Sequence, residues 1–400
     1  MATILWRFLV CLSRERKKIL PVRNIGSSIP SVKGEFPLVE AITGPTRRRE
    51  CSAVVRHSSR HIRTGSRREW RKLMICHRAV LGFLSAFLLS ASLSTQGAQA
   101  ADKLTFVTDF GYLGRHAYYF VALDKGYYKD AGLDVDIVRG QGSADAVKQV
   151  AAGTAQIGFA DAASVILGRA NDGVPVKLVA EVYAKPPHAV FTIEGSPITK
   201  PKDLEGRTIA DSASSSLPKM FPAYAKAAGI DASKVKWVFV TSDAIAATLA
   251  LGRADAVTYY TISEALMQKA VAPKKLAIMK FSDVGMDFYS NGIIANDEVI
   301  KSKPDMVRRF VQATLHGLKD AINDPEAAAK ILNKYQRQID VDVGTAEMKV
   351  ISTLVQAPPE PLGVVDKARM KRTIDLVASS FDLKKPVTTD DVFADGFVTK

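Results

Sequence analysis

The sequence predicts an α/β protein of two lobes facing each other across a cleft, with a helical C-terminal region. Three observations carry this. Short β-rich runs alternate with helical patterns from residue 103 to 281, the last hundred residues turn helical, and one segment is echoed about a hundred residues later. Strand–helix–strand alternation at this spacing implies parallel sheets with helices on both faces. Crossover chirality makes each such unit right-handed.

The first strand is KLTFVTDF (103–110), followed by a helix over 116–131 with apolar Ala117, Phe120, Val121 and Leu123. LDVDIV (133–138) alternates apolar and polar residues, as a half-buried strand does. A helix from Ser143, the strand AQIGFAD (155–161), a helix from Ala162 and the strand VKLVAEVYA (176–184) complete the first section. The middle section repeats that order: strand 207–212, helix 216–230, strand 234–241, a helix from Asp243, strand 255–260, another helix and strand 275–281. Helical patterns over 304–324, 325–336, 345–357 and 366–381 follow, several opened by Pro or Asp as helix starts are. The expected division is a first lobe from 101–188, a second from 189–286, and 287–400 returning to the first lobe with the C-terminal helices.

The echo lies between Val150–Phe159 and Leu249–Thr258, where a helix ends at Gly153 or Gly252 and a strand follows within a few residues. Each glycine suits a left-handed cap. Two similar lobes produce this pattern, and so does convergence of helix-to-strand turn chemistry. Two open α/β sheets place their ligand sites beyond the strand carboxyl ends. Facing lobes bring those ends into one interdomain cleft.

Charge and cysteine separate the N-terminal hundred residues from the rest. The chain's net charge is +14, but residues 1–100 hold 18 Lys/Arg against 5 Asp/Glu, and the remainder holds 37 against 36. The basicity therefore says nothing about what the folded body binds, and nucleic acid is not an expected partner. Cys11, Cys51 and Cys76 all precede residue 101. A body free of cysteine suits an oxidising compartment, and excludes a cysteine nucleophile, a thiolate zinc site or an iron–sulfur cluster there. From Met74, a basic stretch, an apolar run from Ala79 to Leu93 and the ending Ala98-Gln99-Ala100 have the order of a secretory signal peptide, with cleavage expected after Ala100. No lipid-attachment cysteine pattern precedes that point, so a soluble periplasmic product is expected. Residues 1–73 read as a misassigned translation start, with Met74 as initiator, or as a disordered leader.

Lys125-Gly-Tyr-Tyr-Lys-Asp-Ala-Gly-Leu-Asp-Val135, the segment GTAQIGFA (153–160) and KPKDLEGRTIA (200–210) together resemble one family of periplasmic binding proteins. Its members serve ABC importers of nitrate, taurine and alkanesulfonates, or of pyrimidine precursors of thiamine. The resemblance spans 103–400 in element order and is specific for the family rather than the ligand. It implies a type II periplasmic binding protein fold, a small-molecule ligand, a permease and ATPase as membrane partners, a monomer, and no cofactor. Within the motif, Tyr127 and Tyr128 read as packing residues, and Asp203 as shaping the turn before strand 207–212.

Candidate ligand contacts come from the loops at strand carboxyl ends. The first loop supplies Asp109, Phe110, Tyr112, Arg115 and His116. The pyrimidine-precursor binders resemble it in Asp109, an adjacent aromatic and His116, but carry Trp where Phe110 stands and Asn where Leu113 and Arg115 stand. Phe110 and Tyr112 offer stacking surfaces, and Arg115 a fork for a carboxylate or sulfonate. The second loop supplies Phe159, Ala160 and Asp161, the last also fitting a helix cap. Ser212, Ser214 and Ser215 open a helix and form a possible anion cradle. Tyr183, Tyr259, Tyr260 and Asn291 complete the set. Gly140-Gln-Gly-Ser143 lacks the third glycine of a dinucleotide fingerprint, so nucleotide binding is rejected.

His116, His188 and His316 follow no metal-ligand spacing, and no catalytic residue is assigned. The expected function is capture of a small flat or anionic molecule by inter-lobe closure, hinged near 184–190 and 284–291. Aromatic carboxylates, sulfonates and pyrimidines all remain open as cargo. The competing readings are a thiamine-pyrimidine-synthesising enzyme of the same fold, whose eukaryotic relatives depend on a cysteine-rich iron motif that this chain lacks, and a ligand-sensing module.

Overall fold

The computed structural model describes residues 100–355 and 361–399. The leader and the signal segment, except Ala100, lie outside the described residues. Among the described residues, ten strands form two five-stranded sheets. The first has the order β2-β1-β3-β10-β4, from Leu133–Val138, Asp102–Val107, Ile157–Asp161, Asn291–Asn296 and Val176–Glu181. The second has the order β7-β6-β8-β5-β9, from Lys236–Phe239, Thr208–Asp211, Ala256–Tyr260, His188–Ile193 and Leu276–Lys280. The fold is that of a type II periplasmic binding protein, two α/β lobes with a helical C-terminal region.

The sheets are mixed, which corrects the expectation of parallel sheets. β10 runs antiparallel to β3 and β4, and β5 runs antiparallel to β8 and β9. Both are strands that enter a sheet from the other lobe, so they arrive in the reverse direction. Neither was foreseen; each begins at the end of an expected crossover, 184–190 or 284–291, and runs on past it.

The echo corresponds to an equivalence in three dimensions. Val107 pairs with Gly158 in the first sheet, as Ala210 pairs with Val257 in the second. This matches Asp161 to Tyr260 and, through their partners, Asn291 to His188. Hydrogen bonds repeat at the same places. Thr105 N–H donates to Gln156 Oε1 and Thr208 N–H to Asp255 Oδ2, both at 2.8 Å. Ala162 N–H donates to the Ser290 carbonyl and Thr261 N–H to that of Pro187, both at 2.7 Å. Gly153 and Gly252 take φ of 75° and 64°, left-handed values that glycine adopts without a Cβ penalty.

Helices of six residues or more are α1 (Ala117–Asp124), α2 (Ser143–Ala151), α3 (Ala162–Leu167), α4 (Ser216–Ala228), α5 (Ile245–Ala250) and α6 (Glu264–Val271). The remainder are α7 (Asp297–Ser302), α8 (Pro304–Asn323), α9 (Pro325–Tyr335), α10 (Val341–Leu354) and α11 (Lys367–Ser380). Met306, Val307, Phe310, Val311, Leu318 and Ala321 form the buried stripe of α8, which packs with α9 on α1. Asp324 caps α9 by accepting from Ala327 N–H. Phe106, Tyr119, Phe159 and Phe310 sit together in the first lobe's core, each such ring contributing ~1.5–3 kcal/mol by burial. The C-terminal helices do not belong to one lobe alone. α10 packs against α6, and α11 touches both α3 and α4, so this region spans the two lobes.

Candidate ligand-binding cleft

The carboxyl ends of β1 and β3 face those of β6 and β8 across a narrow, nearly closed cavity. Its lining includes Asp109, Phe110 and Arg115 from the first lobe and Asp211, Ser215 and Tyr259 from the second. Phe110 meets Tyr259 edge-on across the cleft, with ring centroids 5.9 Å apart.

Asp109 is the hub of the first wall. His116 Nε2 lies 2.8 Å from Oδ1, Arg115 Nη1 2.9 Å from Oδ2, and Asn291 Nδ2 donates to Oδ2 at 2.8 Å. Burial pushes this carboxyl up, but Arg115 and His116 outweigh it and hold it below the usual range. His116 Nδ1 accepts from Leu113 N–H, so Nε2 carries the proton and the ring is the neutral tautomer. Burial and the Arg115 charge lower His116 accordingly, against the pull of Asp109. The Arg115 backbone N–H donates to buried Glu347 of α10 at 2.8 Å, which anchors the loop from behind. The Arg115 guanidinium lies 5.0 Å over the Tyr260 ring. Its Nε has no hydrogen-bond acceptor among the described residues.

Below the cavity the two crossing strands knit the lobes together. Tyr260 donates to Asn291 Oδ1 at 2.8 Å, linking the second lobe to the Asp109 hub. Ser216 Oγ lies 2.9 Å from the Tyr260 hydroxyl. His188 Nε2 lies 3.3 Å from Asp161 Oδ2 and 3.4 Å from Ser216 Oγ. Serine, histidine and aspartate thus meet, but through one shared nitrogen. A base relay needs both ring nitrogens, and His188 Nδ1 has no partner among the described residues.

At the rim, Ala144 N–H donates to the Ser214 carbonyl at 3.0 Å, and Ser212 Oγ to the Gln141 carbonyl at 2.9 Å. Gly142 permits this approach. Its φ is +148°, and an added Cβ would come within 2.3 Å of the Ser214 carbonyl group.

A family model described as NMT1/THI5 like matches residues 114–328, more than half of the chain. The chain belongs to the NMT1/THI5 like family. It is 24% identical over 323 residues to a formylaminopyrimidine-binding protein of Halalkalibacterium halodurans, covering 79% of this chain and 97% of that one. It is 25% identical to the 4-amino-5-hydroxymethyl-2-methylpyrimidine phosphate synthase THI11 of Saccharomyces cerevisiae, covering 61% and 74%. Among solved structures it resembles the alkanesulfonate-binding protein SsuA of Xanthomonas axonopodis pv. citri bound to MOPS. The TM-score is 0.60 at 14% identity, covering 74% of this chain and all of that one.

In this NMT1/THI5 like chain the foreseen residues occupy distinct places. Asp109, Phe110, Arg115, Ser215, Tyr259 and Tyr260 line the cavity. His116 and Asn291 stand behind Asp109 and brace it. Asp161 caps α3 by accepting from Ala163 N–H. Ser212 and Ser214 make the rim contacts, and Ser215 caps α4. Tyr112 turns its hydroxyl to the Ile137 carbonyl, while Phe159, Ala160 and Tyr183 are buried in the core. Arg115, read as a fork for a ligand anion, is already paired with Asp109. Sequence reasoning missed Asp211, Ser143 and Leu217, which line the cavity together with Ser216, the last residue of the serine run. It also missed His188 below them. The Asp211 signal was its place at a strand end beside the serine run. Among the described residues, no cluster of His, Cys, Asp or Glu is placed to hold a metal, and no helix is long and apolar enough to cross a membrane.

Proposed function

We propose that this chain is the extracytoplasmic solute-binding component of an ABC importer, capturing a small, flat, uncharged nitrogen heterocycle between its lobes. The observation that carries the reading is the cavity between opposed strand ends, walled by aromatic rings and by polar groups from both lobes. Phe110 and Tyr259 bring aromatic rings from both lobes to the cavity, and the Nε–H of Arg115, without an acceptor among the described residues, offers a donor to a carbonyl or ring nitrogen. The Asp109 partner cancels the Arg115 charge, which disfavours sulfonates and carboxylates. The formylaminopyrimidine-binding relative, matched along nearly its whole length, supports the same choice.

Two crossing segments between β4 and β5 and between β9 and β10 form the hinge, and ligand stabilises the form with touching rims. The protein acts as a monomer in the periplasm after cleavage following Ala100, and delivers cargo to a permease and its ATPase. The enzymatic reading rests on the yeast synthase relative. We favour binding because residues 101–400 contain no cysteine and the Ser216–His188–Asp161 cluster lacks relay geometry.

Titration calorimetry with a formylaminopyrimidine, combined with small-angle scattering, tests the reading. Saturable binding with compaction of the particle is expected. Turnover of the pyrimidine, or scattering curves unchanged by saturating ligand, would count against it.

A further inference from the structure

Two buried carboxyl groups line the cleft, one from each lobe, and only one has a cation. Asp109 has Arg115. Asp211, the last residue of β6, is equally buried, yet its partners are neutral: Thr258 Oγ1 donates to Oδ2 and Ser212 N–H to Oδ1, each at 2.6 Å. Around it stand Tyr259 of β8, Ser215 and Ser216 at the start of α4, and, across the cleft, Asp109, Phe110 and Arg115. Arg115 is the single cation among the residues described as lining this cavity, and Asp109 already holds it.

We propose that Asp211 is a specificity-determining residue of this cleft, which hydrogen-bonds an uncharged nitrogen heterocycle and turns away anions. The proposal rests on the solute-binding reading above. A carboxylate closed into a cavity without a cation is costly, so the group takes up a proton instead. Burial pushes Asp211 up to about 7, against the opposing hydrogen bonds of Thr258, the Ser212 N–H and Ser215. The neutral acid presents an O–H to a ring nitrogen or carbonyl, while Arg115 Nε–H serves an acceptor on the opposite edge of the ligand. A sulfonate or carboxylate would meet a neutral ion pair on one wall and an acid on the other. Binding through the protonated acid is independent of pH below about 7 and weakens roughly tenfold per pH unit above it.

The test is calorimetric titration of the whole protein, wild type, Asp211→Asn and Asp211→Ser, between pH 6.5 and 9. The probes are a formylaminopyrimidine, MOPS and choline. Wild type should bind the pyrimidine with the stated loss above pH 7. Asp211→Asn, which keeps a donor, should hold that affinity within about tenfold and remove the pH dependence. Asp211→Ser should gain affinity for MOPS. Three results overturn the proposal alone: identical pH profiles for wild type and Asp211→Asn, MOPS bound by wild type as tightly as the pyrimidine, or choline affinity rising with pH. Binding of no probe by any form overturns the solute-binding reading and the proposal with it.

Discussion

The two lobes share a backbone plan and differ in the side chains they turn to the cleft. Gln156 and Asp255 accept equivalent strand N–H groups, and Ala162 and Thr261 donate to equivalent crossover carbonyls. At the matched strand ends, however, the first lobe has Asp161 and the second Tyr260. At the matched strand starts stand Asn291 and His188. Beside them, the first wall carries a salt-bridged acid held below the usual range at Asp109, and the second a cation-free acid at Asp211. Under the proposed reading, the repeated architecture sets where a ligand would sit, and the unlike side chains of the two walls would select it.

The largest effect should come from breaking the first wall. Arg115→Leu strips Asp109 of its cation and should cost ~3–5 kcal/mol in chemical denaturation at neutral pH. The Asp109 carboxyl is depressed, so its stabilisation is present above its unfolded value of 3.8 and lost as pH falls through the folded value. The gap between wild type and Arg115→Leu should accordingly narrow in acid. A constant gap would mean the pair does not titrate as described.

The second wall should respond in the opposite sense. Asp211 is raised from 3.8 to about 7, so its favourable contribution is fully present below 3.8 and lost as pH rises toward 7. Asp211→Asn should become more stable relative to wild type across that window, by ~1.4 kcal/mol per pH unit at most, and run parallel above it. Melting temperatures measured from pH 4 to 8 decide this, and a difference independent of pH would remove the contrast between the walls.

Gly142→Ala acts on the meeting of the lobes rather than on either wall. The Ser214 carbonyl obstructs the new Cβ, so ligand affinity should fall at least tenfold, equivalent to ~1.4 kcal/mol. Scattering with ligand should then report a larger particle than wild type, and unaltered affinity would place closure elsewhere. The smallest effects concern the shared plan. Gln156→Ala and Asp255→Ala each remove one side-chain acceptor and should cost ~0.5–1.5 kcal/mol in unfolding experiments. A negligible loss in only one of them would show that equivalent geometry does not mean equivalent energy.

Most of the fold was legible because strand alternation and helix starts are local signals. The two crossing strands were not. NGIIAN opens with Asn291-Gly292, a pair that ordinarily signals a turn, and HAVFTI follows two prolines. Their pairing partners lie far away in sequence and left no local trace. The cleft was half legible. The loop from Asp109 to His116 announced itself by its mixture of aromatic and charged residues. The pairing of Arg115 with Asp109 depends on how that one loop folds, and the lack of a cation at Asp211 on which loops meet across the cleft.

The position of β10 also orders events during synthesis. It lies between β3 and β4 in the first sheet, although some 110 residues separate it from β4. A chain emerging from the ribosome therefore holds β4 without a neighbour until residue 296 has appeared, after the whole second lobe has been made. A half-built sheet of this kind stays open and accessible, a useful property under the proposed export, in which the polypeptide would be threaded through a membrane pore before it folds. Nascent chains arrested before residue 291 should remain sensitive to protease, and those extended beyond the C-terminal helices should not.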